Sequence, residues 1–309
     1  MRPLRDHDTI QIEITNACPN RCSNCTRLVG HHAKPYFMDY DTFTEAVDSL
    51  LEFPRMIGMM GGEPLIHPEF SKFCAYMREK VPRNRAGLWT SLPKGYEHLR
   101  EDIVNTFGHI FINDHTRGDV LHTPILIAAG KHFYETSDMW YCIDHCWVQN
   151  SWSAAINPNG AYFCEIAAAL GILYDNMGWK PEKYWWKKNP IDYIDQMRVA
   201  CTQCGAAIPL EKRYSIDGRD DIDEYHYSKL KDSSPKIKNG MYHMHSVLQL
   251  VQDQRPTATY KEFDYRNGVA QRYGMFLIEN TLGFCTPYLM ESWKPEGGKD
   301  GETEARPVA

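Results

Sequence analysis

Between residue 9 and about residue 130, short apolar runs alternate with segments of helical periodicity, and this restricts the fold of the 309-residue chain more than any other feature. "TIQIEIT" (9–15), "MIGMM" (56–60), "AGLWTSL" (86–92) and "HIFIND" (109–114) read as strands, with "PILIAAG" (124–130) expected as a fifth. "DYDTFTEAVDSLLEF" (39–53), "HPEFSKFCAYMREKV" (67–81) and "YEHLREDIVNTF" (96–107) space their apolar residues as helices do, and Asp39 or Asp41 is placed to cap the first. Strand and helix in strict turn, with short connections, predict an α/β fold: a parallel sheet with right-handed crossovers, open or closed into a partial barrel. Such sheets carry functional loops at the carboxyl ends of their strands.

The pattern changes near residue 138. "INPNGAYFC" (156–164) reads as a β-hairpin turning at Asn159-Gly160. Residues 175–200 read as loop and a short helix, and the charged run "DGRDDIDEYHYSKLKDSS" is expected to wrap the surface. Four units follow: a partial barrel over 1–137, a small hairpin and helix domain over 138–210, an irregular extension over 211–291, and a disordered tail over 292–309.

Composition narrows the function classes. A net charge of -6 supplies no general basic field, so nucleic acid is not an expected partner. No apolar run is long enough for a bilayer, and the amino terminus shows no apolar signal-peptide core. A cytoplasmic protein is expected. The 10 cysteines are then not a disulfide framework. Cys74 and Cys285 stand alone and read as small buried hydrophobes.

Three of the others form "NACPNRCSNC" (16–25), which sets Cys18, Cys22 and Cys25 directly after the first strand. Three thiolates so spaced fit three corners of a cubic iron–sulfur cluster and leave the fourth iron open. A Cys3His zinc site completed by His31 or His32 is the rival. It gives no role to "GGEP" (61–64), which follows the second strand and should face the same mouth. There Gly61 and Gly62 permit close backbone approach, Glu63 offers a carboxylate for a ligand ammonium, and Pro64 stiffens the exit.

Cys18-x3-Cys22-x2-Cys25 with a GGEP loop resembles the radical S-adenosylmethionine enzymes. The resemblance implies a [4Fe–4S] cluster whose open iron is chelated by S-adenosylmethionine, and reductive cleavage to a 5′-deoxyadenosyl radical. It places Gly61, Gly62, Glu63 and Pro64 at the cofactor. The family usually has an aromatic residue before the last cysteine, near the adenine. Asn24 stands there in this chain.

Cys146, Cys164 and the pair Cys201 and Cys204 form a second set with no vacancy. With the Asn-Gly hairpin they resemble the auxiliary-cluster region called twitch, a shortened SPASM domain, which implies a second [4Fe–4S] cluster relaying electrons. Structural zinc is the alternative. Cys142 is the candidate hydrogen-atom donor for an epimerase, and Glu165 the candidate proton acceptor, with Asp144 and His145 also nearby in sequence. Trp147, Trp152, Trp179, Trp185 and Trp186 suit core packing or a pocket wall.

The function expected is oxidation or epimerisation of a small polar molecule of the sugar, nucleotide-sugar or aminocyclitol kind. A flavodoxin, ferredoxin or reductase would supply electrons, with no membrane partner. A radical enzyme acting on peptides is the alternative, and a non-catalytic iron–sulfur or zinc protein the alternative of another class.

Overall fold

The structure is a computed structural model and describes residues 1–113, 115, 120–151, 153–208, 210–246 and 275–279. β1 (Thr9–Thr15) leads through α1 (Tyr40–Ser49) to β2 (Met56–Gly61), which lies parallel beside it. α2 (Phe70–Lys80), β3 (Ala86–Thr90), α3 (Arg100–Thr106) and β4 (His109–Asn113) repeat the step twice more. β5 (Leu121–His122), α4 (Ala129–His132), α5 (Thr136–Asp144) and α6 (Trp147–Ser151) come next. The chain then returns to the free side of β1, where β6 (Ser153–Asn157) pairs with it in parallel. β7 (Gly160–Tyr162) turns back on β6, and α7 (Glu165–Leu173) and α8 (Ile194–Ala200) follow.

The carboxyl-terminal part adds β8 (Arg213–Tyr214) on β5, then β9 (Asp220–Asp223), α9 (Glu224–Leu230), α10 (Pro235–Lys238) and β10 (Tyr242–His245), which pairs with β9. β11 (Met275–Glu279) closes the far edge antiparallel to β4. The main sheet runs β11-β4-β3-β2-β1-β6-β7, with its five inner strands all parallel. It is a mixed α/β fold on a mostly parallel sheet, as the alternation required.

Local chemistry explains the elements. The Asp39 carboxylate accepts from the Thr42 backbone N–H at 2.8 Å and caps α1. Phe43, Ala46 and Val47 form the buried stripe of α1, and Phe70, Phe73, Cys74 and Met77 that of α2. Phe43 and Phe73 stack at 4.1 Å where the helices meet. Cys74 is fully buried, as a small hydrophobe.

Both faces of β1 are buried. Ile10, Ile12 and Ile14 join the main core, whereas Thr9, Gln11 and Glu13 point to the opposite face. On that second face Met60, Trp89 and Phe111 form a separate cluster, with Trp89 stacked on Phe111 at 4.2 Å.

Two expectations need correcting. "PILIAAG" is not a strand. Ile125, Leu126, Ile127 and Ala128 are buried on all sides, and their backbone groups bond to Gly205 and to Asp223 rather than to the main sheet, with a single isolated parallel bridge from Leu126 to Ile222 of β9. Apolar content here reported burial, not pleating. Nor does the charged run lie on the surface, for Asp220, Asp221 and Asp223 are all buried among cationic and hydrogen-bonding partners.

The hairpin at 153–162 forms, with Gly160 at φ +120° while Asn159 stays at negative φ. Its first strand continues the main sheet, and one core spans residues such as Ile12, Phe43, Ile156, Tyr193 and Ile222. Asp114, Trp152, Cys285 and the tail 292–309 lie outside the described residues. Among the described residues no helix is long and apolar enough to cross a membrane.

Candidate active site

The loop after β1 carries the three cysteines and returns to its own strand. Met38 N–H donates to Ile14 O at 2.8 Å, and Thr15 Oγ1 donates to Tyr36 O at 2.6 Å. The loop after β2 is stitched to it: Gly62 N–H donates to Thr15 O at 2.6 Å and Glu63 N–H to Ala17 O at 2.7 Å. Gly61 has φ +150°, and a Cβ there would sit 2.1 Å from Thr15 O. At Gly62 it would sit 2.2 Å from Ala17 O. The glycines therefore permit the loop of β2 to lie against the backbone of the cysteine loop. That partner was not legible in the sequence, where a ligand was expected.

A cavity of about 230 Å³ opens at this end of the sheet. About 10–15 Å³ admits one water, so it has room for a ligand of many atoms. Cys18, Cys22 and Cys25 line it together with Gly61, Gly62 and Glu63. Thr90 and Ser91 after β3, and Asn113 at the end of β4, complete the same wall. Every contribution named comes from the carboxyl end of a parallel strand, as expected. Burial pushes the Cys22 thiol up to about 12 and the Cys18 thiol higher still, so these groups need a cation beside them to become thiolates.

Glu63 is buried and fully engaged. Its Oε1 accepts from Thr90 Oγ1 at 2.6 Å and Leu65 N–H at 3.2 Å, and its Oε2 from Ser91 N–H and Oγ, each at 2.7 Å. Those four donors use the carboxylate's accepting positions, so a ligand ammonium would have to displace one. Pro64 opens a 3-10 turn, Pro64–Ile66, that Glu63 caps.

Asn24, which the resemblance placed among the cofactor-binding residues but without the ring that would meet the adenine, is not at the cavity wall. It sits at φ +47°, a conformation asparagine tolerates, with Nδ2 on Asp221 Oδ2 at 2.7 Å and Oδ1 accepting from Asp221 N–H at 2.8 Å. A short polar side chain fits this paired position, where an aromatic ring would not.

On the other side of the cavity stands Glu165, the first residue of α7, also buried and lining the space. Its Oε2 accepts from Arg27 Nη2 at 3.0 Å and Ser153 Oγ at 3.2 Å. Arg27 Nε lies 3.0 Å from Glu13 Oε1, an ion pair that is not aligned as a hydrogen bond, and its Nη2 also donates to Gln11 Oε1 at 2.5 Å. One guanidinium thus lies between two buried carboxylates. Burial pushes the Glu13 carboxyl up to about 7 against the pull of Arg27. Glu13, Gln11 and Arg27 were missed in the sequence. The available signal was two polar residues in an inner parallel strand, where both faces are normally apolar.

His31 is no cysteine partner. Its Nε2 meets Asp220 Oδ2 at 2.6 Å and its Nδ1 meets Ser234 Oγ at 2.9 Å. His32 faces a small pocket beside Glu13 and Tyr36 instead of the cavity. His115 and His122 do line the cavity, His122 with Nδ1 on Ser23 O at 2.7 Å, and are the side chains a Cys3His alternative would draw on.

Cys146, Cys164, Cys201 and Cys204 line a second, apolar pocket with Ile143, Phe163 and others. Burial raises all four thiols, and mutual proximity adds to the rise at Cys164, Cys201 and Cys204. Backbone N–H groups face three of the sulfurs: Gln149 and Val148 toward Cys146, Ala167 toward Cys164, and Ala206 toward Cys204 at 3.4 Å. Four thiols with amide donors are the donor set an anionic iron–sulfur cluster takes, while the free space between them is about 20 Å³. Among the described residues no group of three or more His, Cys, Asp or Glu side chains converges on one metal ion.

Cys142 is buried in α5 and lines neither pocket. That placement gives it no route to a substrate in the first. Asp144 and His145 lie outside both as well. Of the tryptophans, Trp147 lines the main cavity, while Trp185 and Trp186 pack in the core.

Fold and site together define a mixed α/β protein with one three-cysteine cavity at the carboxyl mouth of its sheet and a four-cysteine pocket behind it. No protein-family model matches the chain, and no curated protein matches it in sequence. Solved structures similar to it include two of BtrN. The crystal structure of BtrN in complex with AdoMet and 2-DOIA shares 16% identity over 64% of this chain and 92% of that one, with a TM-score of 0.41. Selenomethionine BtrN in an open conformation shares 17% over 65% and 87%, with a TM-score of 0.37. Likeness this distant does not assign a function.

Proposed function

We propose that the chain is a radical S-adenosylmethionine enzyme that oxidises a small polar substrate and uses a second cluster as electron relay. One observation carries the reading: the three thiols of the first loop and the Gly-Gly-Glu loop of the next strand line a single cavity. Cys18, Cys22 and Cys25 would hold a [4Fe–4S] cluster with one iron open to S-adenosylmethionine, and Cys146, Cys164, Cys201 and Cys204 a second. Bound there, these groups supply a 5′-deoxyadenosyl radical for hydrogen abstraction and an acceptor for the electron an oxidised substrate gives up.

The chain's own residues orient the reactants and manage protons. Gly61 and Gly62, packed against the cysteine loop, line the cavity and would help hold the methionine part of the cofactor, and Glu63 fixes the loops of β2 and β3 in register. Met60, Trp89 and Trp147 wall the cavity with apolar surface and keep water from a reactive radical. Glu165, oriented by Arg27 and Ser153, takes the hydroxyl proton as an alcohol carbon becomes a carbonyl. The position of Cys142 favours oxidation over epimerisation by that thiol. A flavodoxin, ferredoxin or reductase in a reducing compartment would deliver the initiating electron.

Anaerobic purification with iron and sulfide counting, then dithionite and S-adenosylmethionine, tests this. Formation of 5′-deoxyadenosine and methionine is expected. Bound zinc with no cofactor cleavage would overturn it and favour the Cys3His alternative.

A further inference from the structure

The segment from Arg213 to His245 grips the cysteine loop along its length. Asp220, 2% exposed, accepts from the Asn24 backbone N–H, from His31 Nε2 at 2.6 Å and from Lys236 Nζ at 2.8 Å. Lys236 Nζ also donates to Cys22 O at 2.8 Å, and its backbone N–H to Gly30 O at 3.0 Å. Asp221 exchanges two hydrogen bonds with the Asn24 side chain, and its carboxylate is held from behind by Arg213 Nη2 at 2.6 Å and His245 Nε2 at 2.8 Å. Ser23 N–H donates to Ser215 O at 2.9 Å.

These bonds converge on the residues that separate Cys22 from Cys25. Asn24 and Leu28 hold φ of +47° and +52°; asparagine tolerates this region, but at Leu28 it is strained and persists only where the surroundings impose it. The torsions at Ser23 and Asn24 decide where two of the three sulfurs lie relative to each other. A loop that must present three ligands at once loses affinity for every conformation it can adopt instead.

We propose that Asp220, Asp221 and Lys236 are positioning residues that lock residues 22–30 in the shape in which Cys18, Cys22 and Cys25 bind a cluster jointly. The inference rests on the functional reading above and assigns the carboxyl-terminal segment a task in it. The bonds of Asp220, Asp221 and Lys236 do not reach the second cysteine set, which meets this segment through His226 Nε2 and Gln203 O at 2.8 Å, so variants of these three residues have an internal control.

The test uses the full chain with Asp220→Asn or Lys236→Met, reconstituted without oxygen with iron and sulfide. In the iron-free protein, amide exchange at Ser23 and Asn24 should accelerate about ten- to a hundredfold in Asp220→Asn, the loss of a hydrogen bond to a charged group. Iron and sulfide should fall to roughly half, with the second cluster retained. The electron paramagnetic resonance change on adding S-adenosylmethionine should disappear. A variant that keeps all its iron and an unaltered signal overturns the inference, as does one that loses both clusters alike, since that is general unfolding. Should Asp220→Asn fail to fold, Lys236→Met decides, because it keeps the stem and the Asp220–His31 pair. A wild-type chain that binds no iron overturns the functional reading and the inference together, and is distinguishable by that first measurement.

Discussion

Gly61 concentrates the local physics of the site. Its φ of +150° and the 2.1 Å between an added Cβ and Thr15 O leave no flexible group that can give way, because the obstacle is backbone. Gly61→Ala should therefore destabilise the chain by about 3 kcal/mol. Urea unfolding reads this directly, and a change within about 0.5 kcal/mol would contradict the geometry. The glycine pair was legible as a place of close approach, and the cysteines as a set that the fold would gather at one place. What a glycine approaches is a non-local fact, however, and so is the company of a side chain. Asn24 looked like a position beside a ligand because its neighbours are cysteines of the cluster motif, yet its amide is spent on Asp221, nearly two hundred residues away in sequence.

His7 lies just before β1, and there a titratable ring joins two strands. Its Nδ1 accepts from Ala154 N–H of β6 at 2.9 Å, and burial holds its pKa down near 3 against an ordinary 6.5. Above 6.5 the ring is neutral folded or unfolded and contributes no pH dependence. Below 6.5 the unfolded chain takes up the proton first, so stability falls with pH until about 3, at most by about 1.4 kcal/mol per unit. His226, depressed to about 4 by burial, acts in the same direction. Urea midpoints from pH 7.5 to 4.5 should decline in the wild type and decline less in His7→Asn, whose Oδ1 replaces the accepting nitrogen. Equal slopes would remove His7 from the account. The first four strands and their three helices were legible, because period and capping are local. The pairing of β6 with β1 was not, since "SAAIN" carries no sign of which strand it joins. The apolar 124–130 run misled for a related reason: burial on every side looks the same in a loop as in an inner strand.

At the scale of the molecule, the cavity at the mouth of the main sheet and the four-cysteine pocket are distinct spaces, to which the proposed function gives different tasks. Their tasks should therefore separate. Cys201→Ser combined with Cys204→Ser is expected to lose roughly half the iron, keep reductive cleavage of S-adenosylmethionine, and stop any oxidation of substrate. Iron analysis and 5′-deoxyadenosine counting read the first two. A double variant that no longer cleaves the cofactor, while circular dichroism stays unchanged, would show that the two tasks are not separable. The cysteine spacings marked both sets in advance, and each set lines one pocket. The burial of the carboxyl-terminal acids was hidden, because a run of charges carries no periodicity from which a buried face can be read.

Cys164 and Glu165 are consecutive residues, yet the first belongs to the rear pocket and the second to the front one. Across a trans peptide their α-carbons are only about 3.8 Å apart. The partition between the two chambers is therefore, at this point, one amide thick, and neither chamber can be reshaped there without tugging on its neighbour.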